Sequence, residues 1–234
     1  MGLRLFHRRA GVPASIVLAA ALLAPAAQAG TPVQTRDFFR AVQMDDARTV
    51  RNLMGKAVDP NAPNPLGGEP ALVVAVREGS MQVVQALLAD PGVQVDAPAL
   101  NGNTALMMAA YKRNPAAAEA LLARGAAVNR PGWTPLHYAA ASGDDAIARM
   151  LLQHGARVDA PSPPASGSFT PLMMAAREGH PDSARLLLAQ GADTALKNGE
   201  GLTAAQIAER AGHGEIAAAI SAHVSGRGNG GAGR

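Results

Sequence analysis

Thr134-Pro135-Leu136-His137-Tyr138-Ala139-Ala140 decides how this chain is read, because the stretch recurs in altered form on both sides. Thr104-Ala-Leu-Met-Met-Ala-Ala110 begins 30 residues before it, and Thr170-Pro-Leu-Met-Met-Ala-Ala176 begins 36 residues after it. Each copy leads to a leucine pair (Leu121-Leu122, Leu151-Leu152, Leu187-Leu188) and then to a glycine (Gly125, Gly155, Gly191). Backward, the register meets Pro70-Ala71-Leu72 with Leu87-Leu88, then a degenerate copy near Arg36 with Phe38, Ala41-Val42 and Leu53-Met54. Forward, it meets a shorter copy from Thr203 to Ala208, followed by Gly212-His213. Unit starts at 36, 70, 104, 134, 170 and 203 are spaced by 34, 34, 30, 36 and 33 residues. That period marks a stacked array.

The columns make sense as two helices per unit. Thr104, Thr134, Thr170 and Thr203 suit N-caps, since a hydroxyl accepts an orphan backbone N–H at a helix start. Pro135 and Pro171 then fall at the first helical position, where the missing N–H costs nothing. Gly79, Gly143, Gly179 and Gly212 end the first helix, and Asp46, Ser80, Asn114 and Asp144 start the second. Paired alanines let first helices approach closely, while the leucine pairs fill the layer behind. One unit alone would expose its leucine face, so only the stack is stable. The composition agrees: 234 residues contain seven aromatics (Trp 1, Tyr 2, Phe 4), too few for a core of mixed large side chains.

The T-P-L-H-x-A-A, G-x-x-x-x-A/V-x-x-L-L and G-A-x-V-D/N columns, the last seen at Gly125–Asn129 and Gly155–Asp159, resemble the ankyrin repeat over roughly 36–224. The resemblance implies an all-α solenoid of five to six helix–turn–helix units joined by β-hairpin-like loops. It implies a curved stack whose concave face, built from loop tips and first helices, binds another protein. It implies no cofactor and no chemistry, and a monomeric array is expected. Departures from the pattern carry expectations of their own. Asp45 and Arg113 occupy the glycine column, so those turns should be strained or rearranged. Glu209 and Ser221 replace an alanine and a leucine, as fits a capping unit. The loop before Thr134 is three residues short and that before Thr170 is three residues long.

Outside the array the ends read differently. Arg4, His7, Arg8 and Arg9 precede an apolar run from about Ile16 to Ala24, then Ala27-Gln28-Ala29 before Gly30. This order predicts a cleavable signal peptide over 1–29, a lead-in over 30–35, and export to the periplasm of a Gram-negative bacterium or onward secretion. The run is too short for a permanent anchor, and no later segment is long and apolar enough to span a bilayer. The Gly/Arg-rich 225–234 reads as a disordered tail. The chain has 21 basic and 18 acidic residues. Removing Arg4, Arg8 and Arg9 leaves 18 against 18, and setting aside Arg227 and Arg234 in the tail leaves 16 against 18. No basic face remains to argue for nucleic acid or anionic lipid. The absence of cysteine excludes disulfides, thiolate catalysis and cysteine-ligated zinc.

Candidate chemistry dissolves residue by residue, so no catalytic, cofactor-binding or metal-ligating residue is assigned. His137 reads as a structural histidine bonding within its own turn. His154, His180, His213 and His223 have no second ligand at metal spacing. Gly199-x-Gly201-x-x-Ala204 has the outline of a dinucleotide loop but no preceding strand. Asp45-Asp46 and Asp144-Asp145 begin second helices, where acids complement the dipole. Met107-Met108 and Met173-Met174 read as core filling rather than soft-metal ligands.

Protein binding is the better-founded expectation. The resemblance places the residue before each Thr column, Asn103, Trp133 and Phe169 among them, near a loop tip on the concave side. It faces Arg77-Glu78, Tyr111-Lys112, Ala141-Ser142 and Arg177-Glu178 into the same groove. Trp133 and Phe169 share a column beside the two loops of abnormal length, and exposed groove aromatics are frequent hot spots. They read either as apolar anchors for a partner or as rings packed on the adjacent loop. Two functions use that groove: a periplasmic protein that binds, protects or regulates another exported protein, and a secreted effector or inhibitor of a foreign or host protein.

Overall fold

In the computed structural model, residues 31–229 are described, and the expected signal peptide lies outside them. Twelve α-helices follow one another there: α1 (Pro32–Gln43), α2 (Ala47–Leu53), α3 (Ala71–Glu78), α4 (Met81–Leu88), α5 (Ala105–Tyr111) and α6 (Pro115–Ala123) come first. After them run α7 (Pro135–Ser142), α8 (Asp145–Gln153), α9 (Pro171–Glu178), α10 (Pro181–Ala189), α11 (Ala204–Arg210) and α12 (Gly214–Asn229). Odd-numbered helices pack on one another in chain order, and even-numbered helices do the same behind them. The result is a two-layer all-α stack of ankyrin-type helix pairs, with no strand among the described residues.

The caps act as the columns require. The hydroxyls of Thr104, Thr170 and Thr203 accept the N–H three residues on at 3.3–3.4 Å. The residue at that third position returns a bond to the cap's own N–H: Met107 and Met173 through sulfur, Gln206 through its carbonyl oxygen. Asp46, Asn114 and Asp144 accept the corresponding N–H of α2, α6 and α8 at 3.0 Å. Behind the caps, Leu87, Leu121, Leu151 and Leu187 are fully buried. Ala109, Ala110, Ala139, Ala140, Ala175 and Ala176 are equally inaccessible, which lets α5, α7 and α9 lie close together.

At both ends the helix bounds differ from those expected. The first helix begins ahead of the repeat register near Arg36. Thr31 and Gln34 form a capping box and Pro32 begins α1, so the helix absorbs most of the expected lead-in. At the other end α12 runs to Asn229, into the stretch read as a tail, while residues 230–234 lie outside the described residues. The turns at Asp45 and Arg113 are strained rather than rearranged, one of the two outcomes expected of them. Both residues take the left-handed conformation, φ 56° and 54°, that glycine holds in the other units. Four of the loops are closed in hairpin-like fashion by backbone bonds from Asn64 to Glu69, Ala99 to Asn103, Ser162 to Phe169 and Asn198 to Leu202, at 2.8–2.9 Å.

Loop joins loop through the last residue of the G-A-x-V-D/N column and its counterparts. Asn61 accepts from Gln94 N–H, Asp96 from Ala127, Asn129 from Arg157 and Asp159 from Asp193, at 2.8–3.0 Å. Asn61 and Asn129 also donate to the carbonyls of Gly92 and Gly155. The short and long loops belong together as well. Gly132, at φ 84°, leaves room for Pro163 of the long loop, whose Cγ would stand 3.0 Å from any Cβ placed there.

Candidate functional site

Both tyrosines and the single tryptophan of the chain meet in one pocket. It holds about 320 Å³ and is lined by Tyr111 from α5, Trp133 from the short loop, His137, Tyr138 and Ala141 from α7, and Met174, Arg177 and Glu178 from α9. The helix period explains the set. Within α7, residues 137, 138 and 141 lie on one face, and Met174 and Arg177 repeat the last two of these positions one unit later. The short loop brings Trp133 directly onto that face.

The rings are held edge to face. Tyr111 and Tyr138 stand 6.4 Å apart at 89°, Trp133 and His137 5.2 Å apart at 78°, and Trp133 and Tyr138 6.2 Å apart at 58°. Tyr138 donates its phenolic proton to Asn103 Oδ1 at 2.7 Å. Burial raises the Tyr138 phenol above its ordinary value, against the pull of Asn103 and Arg130, so it stays a neutral donor. Arg177 caps the far side, its guanidinium 5.0 Å from the Phe169 ring centroid and its Nε donating to Glu178 at 2.8 Å.

His137 forms the floor and is wholly buried. Its Nδ1 lies 3.1 Å from Thr134 N and 2.8 Å from Thr134 Oγ1, the within-turn bonding expected of it. Its Nε2 reaches beyond the unit to the Phe169 carbonyl oxygen at 2.9 Å. Desolvation drives the imidazole down to about 4, more strongly than the carbonyls of Phe169 and Ala160 hold it up. A neutral ring accepting at Nδ1 and donating at Nε2 fits this network.

Of the residues picked from sequence, Tyr111, Trp133, Arg177 and Glu178 thus come together, and Asn103 joins them through Tyr138. Phe169 does not. Its side chain is buried at 8% exposure, beneath Arg177 and against Gly167, so it packs on its own loop rather than standing free as an anchor. Lys112 is exposed outside the lining, and Arg77 with Glu78 belongs to an ion-pair cluster with Glu69 at α3. Ala141, faced into the groove by the same column, lines the pocket too, while Tyr138 and Met174 are additions that the i, i+3 relation of 138 to 141 explains. Asp46 and Asp144 are caps, Met107 and Met173 are buried, and the described residues contain no cluster able to hold a metal ion. No helix among them is long and apolar enough to cross a membrane.

Comparison with known proteins agrees with this architecture. A family model described as ankyrin repeats in three copies matches residues 38–131 and 72–162, and one described as ankyrin repeats in many copies matches 160–208. Among curated proteins, SH3 and multiple ankyrin repeat domains protein 1 of Mus musculus is 35% identical over 133 residues, 55% of this chain and 6% of its own length. RelA-associated inhibitor of Mus musculus is 40% identical over 92 residues, 38% of this chain and 11% of its own. Transient receptor potential cation channel subfamily A member 1 of Homo sapiens is 30% identical over 118 residues, 49% of this chain and 10% of its own. The chain therefore spans only a small part of each of these relatives.

Proposed function

The chain belongs to the ankyrin-repeat family, whose arrays are non-catalytic protein–protein interaction modules, and from that premise we propose that it is an exported binding protein. It takes a bulky side chain of its partner into the pocket between Tyr111, Trp133 and Tyr138. One observation carries this reading: three of the seven aromatic residues are gathered at a single open pocket, and Tyr111 stays 60% exposed there. Rigid, half-exposed aromatics supply contact area at low entropic cost, which is why they dominate binding hot spots. Arg177, Glu178 and Asn103 give the pocket a polar rim to orient what enters. The name of one relative describes an inhibitor associated with another protein, RelA, in keeping with a binder.

Export is supported by the basic leader, apolar run and Ala27-Gln28-Ala29 motif, and the periplasm is the proposed compartment. A photo-crosslinking residue in place of Tyr111, compared with one in place of Arg149 on the even-helix layer, tests the face. Capture of one protein from Tyr111 alone, reduced by Trp133→Ala at unchanged melting temperature, is expected. Equal capture from both positions would remove the pocket from the reading. N-terminal sequencing of periplasmic protein should begin at Gly30, and full-length protein confined to the cytoplasm would remove the export claim.

A further inference from the structure

Gln43, Tyr111, Ala141 and Arg177 occupy one column of the repeat, and Phe39 and Arg40 fall in the columns of His137 and Tyr138. The positions that line the aromatic pocket therefore line a second one at the start of the array. There Pro32, Thr35, Arg36, Phe39, Arg40 and Gln43 of α1 face Asn64, Pro65 and Leu66 of the first loop around about 760 Å³. The early start of α1 adds the turn that carries Pro32 and Thr35, deepening this end.

We propose that this second pocket docks an acidic segment of a partner protein that carries an apolar side chain. Leu66 is 93% exposed at the loop tip, an apolar wall with nothing against it among the described residues. Arg36 and Arg40, one turn apart on the facing helix, make no ion pair among those residues, whereas Arg77, Arg177 and Arg210 of the later units all pair with glutamates. No acidic side chain lines the pocket. Two solvent-exposed guanidiniums without an ion-pair partner among the described residues, beside an apolar wall, are complementary to carboxylates flanking a leucine or phenylalanine. The chain's first thirty residues cannot supply them, since they hold Arg4, Arg8 and Arg9 and no acid. The inference rests on the odd-helix face being the binding face, but not on the aromatic pocket itself.

The probe is a fluorescein-labelled peptide, Ser-Glu-Glu-Leu-Glu-Phe-Ser, against its lysine-for-glutamate counterpart, with binding read by anisotropy on the mature chain. The acidic peptide should bind at about 50 mM salt and weaken at about 500 mM, where the screening length shrinks below the reach of a surface pair. Arg36→Glu with Arg40→Glu should weaken binding by about tenfold or more, and Leu66→Ser severalfold. Trp133→Ala should leave it unchanged, which separates failure here from failure of the aromatic pocket. If charge reversal lowers the melting temperature, Arg36→Gln with Arg40→Gln replaces it and must still weaken binding. Equal affinity for the two peptides, or indifference to the arginine variants, overturns the proposal. So does self-association lost on charge reversal, which would make the occupant a second copy.

Discussion

His137 Nε2 lies 2.9 Å from the carbonyl oxygen of Phe169, so one buried imidazole ties the cap of α7 to the residue that precedes the cap of α9. The bond crosses beneath the aromatic pocket, and it makes the floor of the proposed binding site part of the joint between two units. Rings above that joint are held in place by backbone as well as by packing.

A pH dependence follows from the same histidine. Unfolded imidazole takes up a proton near its ordinary value, whereas buried His137 resists until about 4. Between those values the unfolded chain binds more protons, so stability from His137 is full above about pH 6.5 and is lost as pH falls toward 4. The loss should be on the order of 3 kcal/mol at most. Urea unfolding at about pH 7.5 and about pH 4.5 should show a smaller drop for His137→Gln than for the parent chain. Equal drops would mean that the ring is not kept neutral by burial.

Trp133 and Phe169 should part company on truncation. Phe169→Ala removes a buried ring and should destabilise by about 3–5 kcal/mol. Trp133→Ala removes a half-buried one and should lower melting less, while costing about 2 kcal/mol or more of partner binding. Paired melting and affinity measurements decide it. The reverse pattern would return Phe169 to the site and make Trp133 structural.

Leu151→Ala should cost about 2–5 kcal/mol, because the side chain is fully buried in α8 and leaves a cavity between neighbouring helices. Hydrogen exchange should show the loss concentrated in α7, α8 and the adjoining α6 and α10 rather than spread evenly, since α8 packs on these helices. Uniform loosening from α1 to α12 would contradict nearest-neighbour stability.

The glycine column offers a matched pair. Arg113 sits at φ 54° with a side chain that disfavours it, so Arg113→Gly should gain about 0.5–1 kcal/mol. Gly143→Ala should lose about 2 kcal/mol or more, because its Cβ would meet the His180 ring at 2.6 Å besides adopting φ 70°. Chemical denaturation of both variants tests the sign of each, and a stabilising Gly143→Ala would show that His180 moves aside freely.

Much of the fold was legible because it is written in repeated local chemistry. Thr104, Thr134, Thr170 and Thr203 announce helix starts by what a hydroxyl does to an orphan N–H, and their phase fixes the rest. Thr31-Pro-Val-Gln34 carries the same signal ahead of the degenerate first unit, where the repeat columns that would reinforce it are weakest. The site was legible only in part. Column position located Tyr111, Trp133, Arg177 and Glu178, since periodicity fixes which face a residue takes. It could not tell Trp133 from Phe169, which share a column. That difference comes from loop length, because the long loop folds Gly167 and Ser162 over Phe169 while the short loop leaves Trp133 half open. Leu66 gave no sequence signal, for an exposed leucine at a loop tip looks like any other until its surroundings are known.

The rungs from Asn61, Asp96, Asn129 and Asp159 have a mechanical meaning. Each fastens one loop to the next and to nothing further, so the loop edge of the stack is a chain of short links in series. A bend applied across the ends is divided among every joint, and a small rotation at each adds to a large change in curvature. The array is in this sense a leaf spring. Tension in a partner lying along the loops would be met by the whole length of the molecule, with no helix having to break.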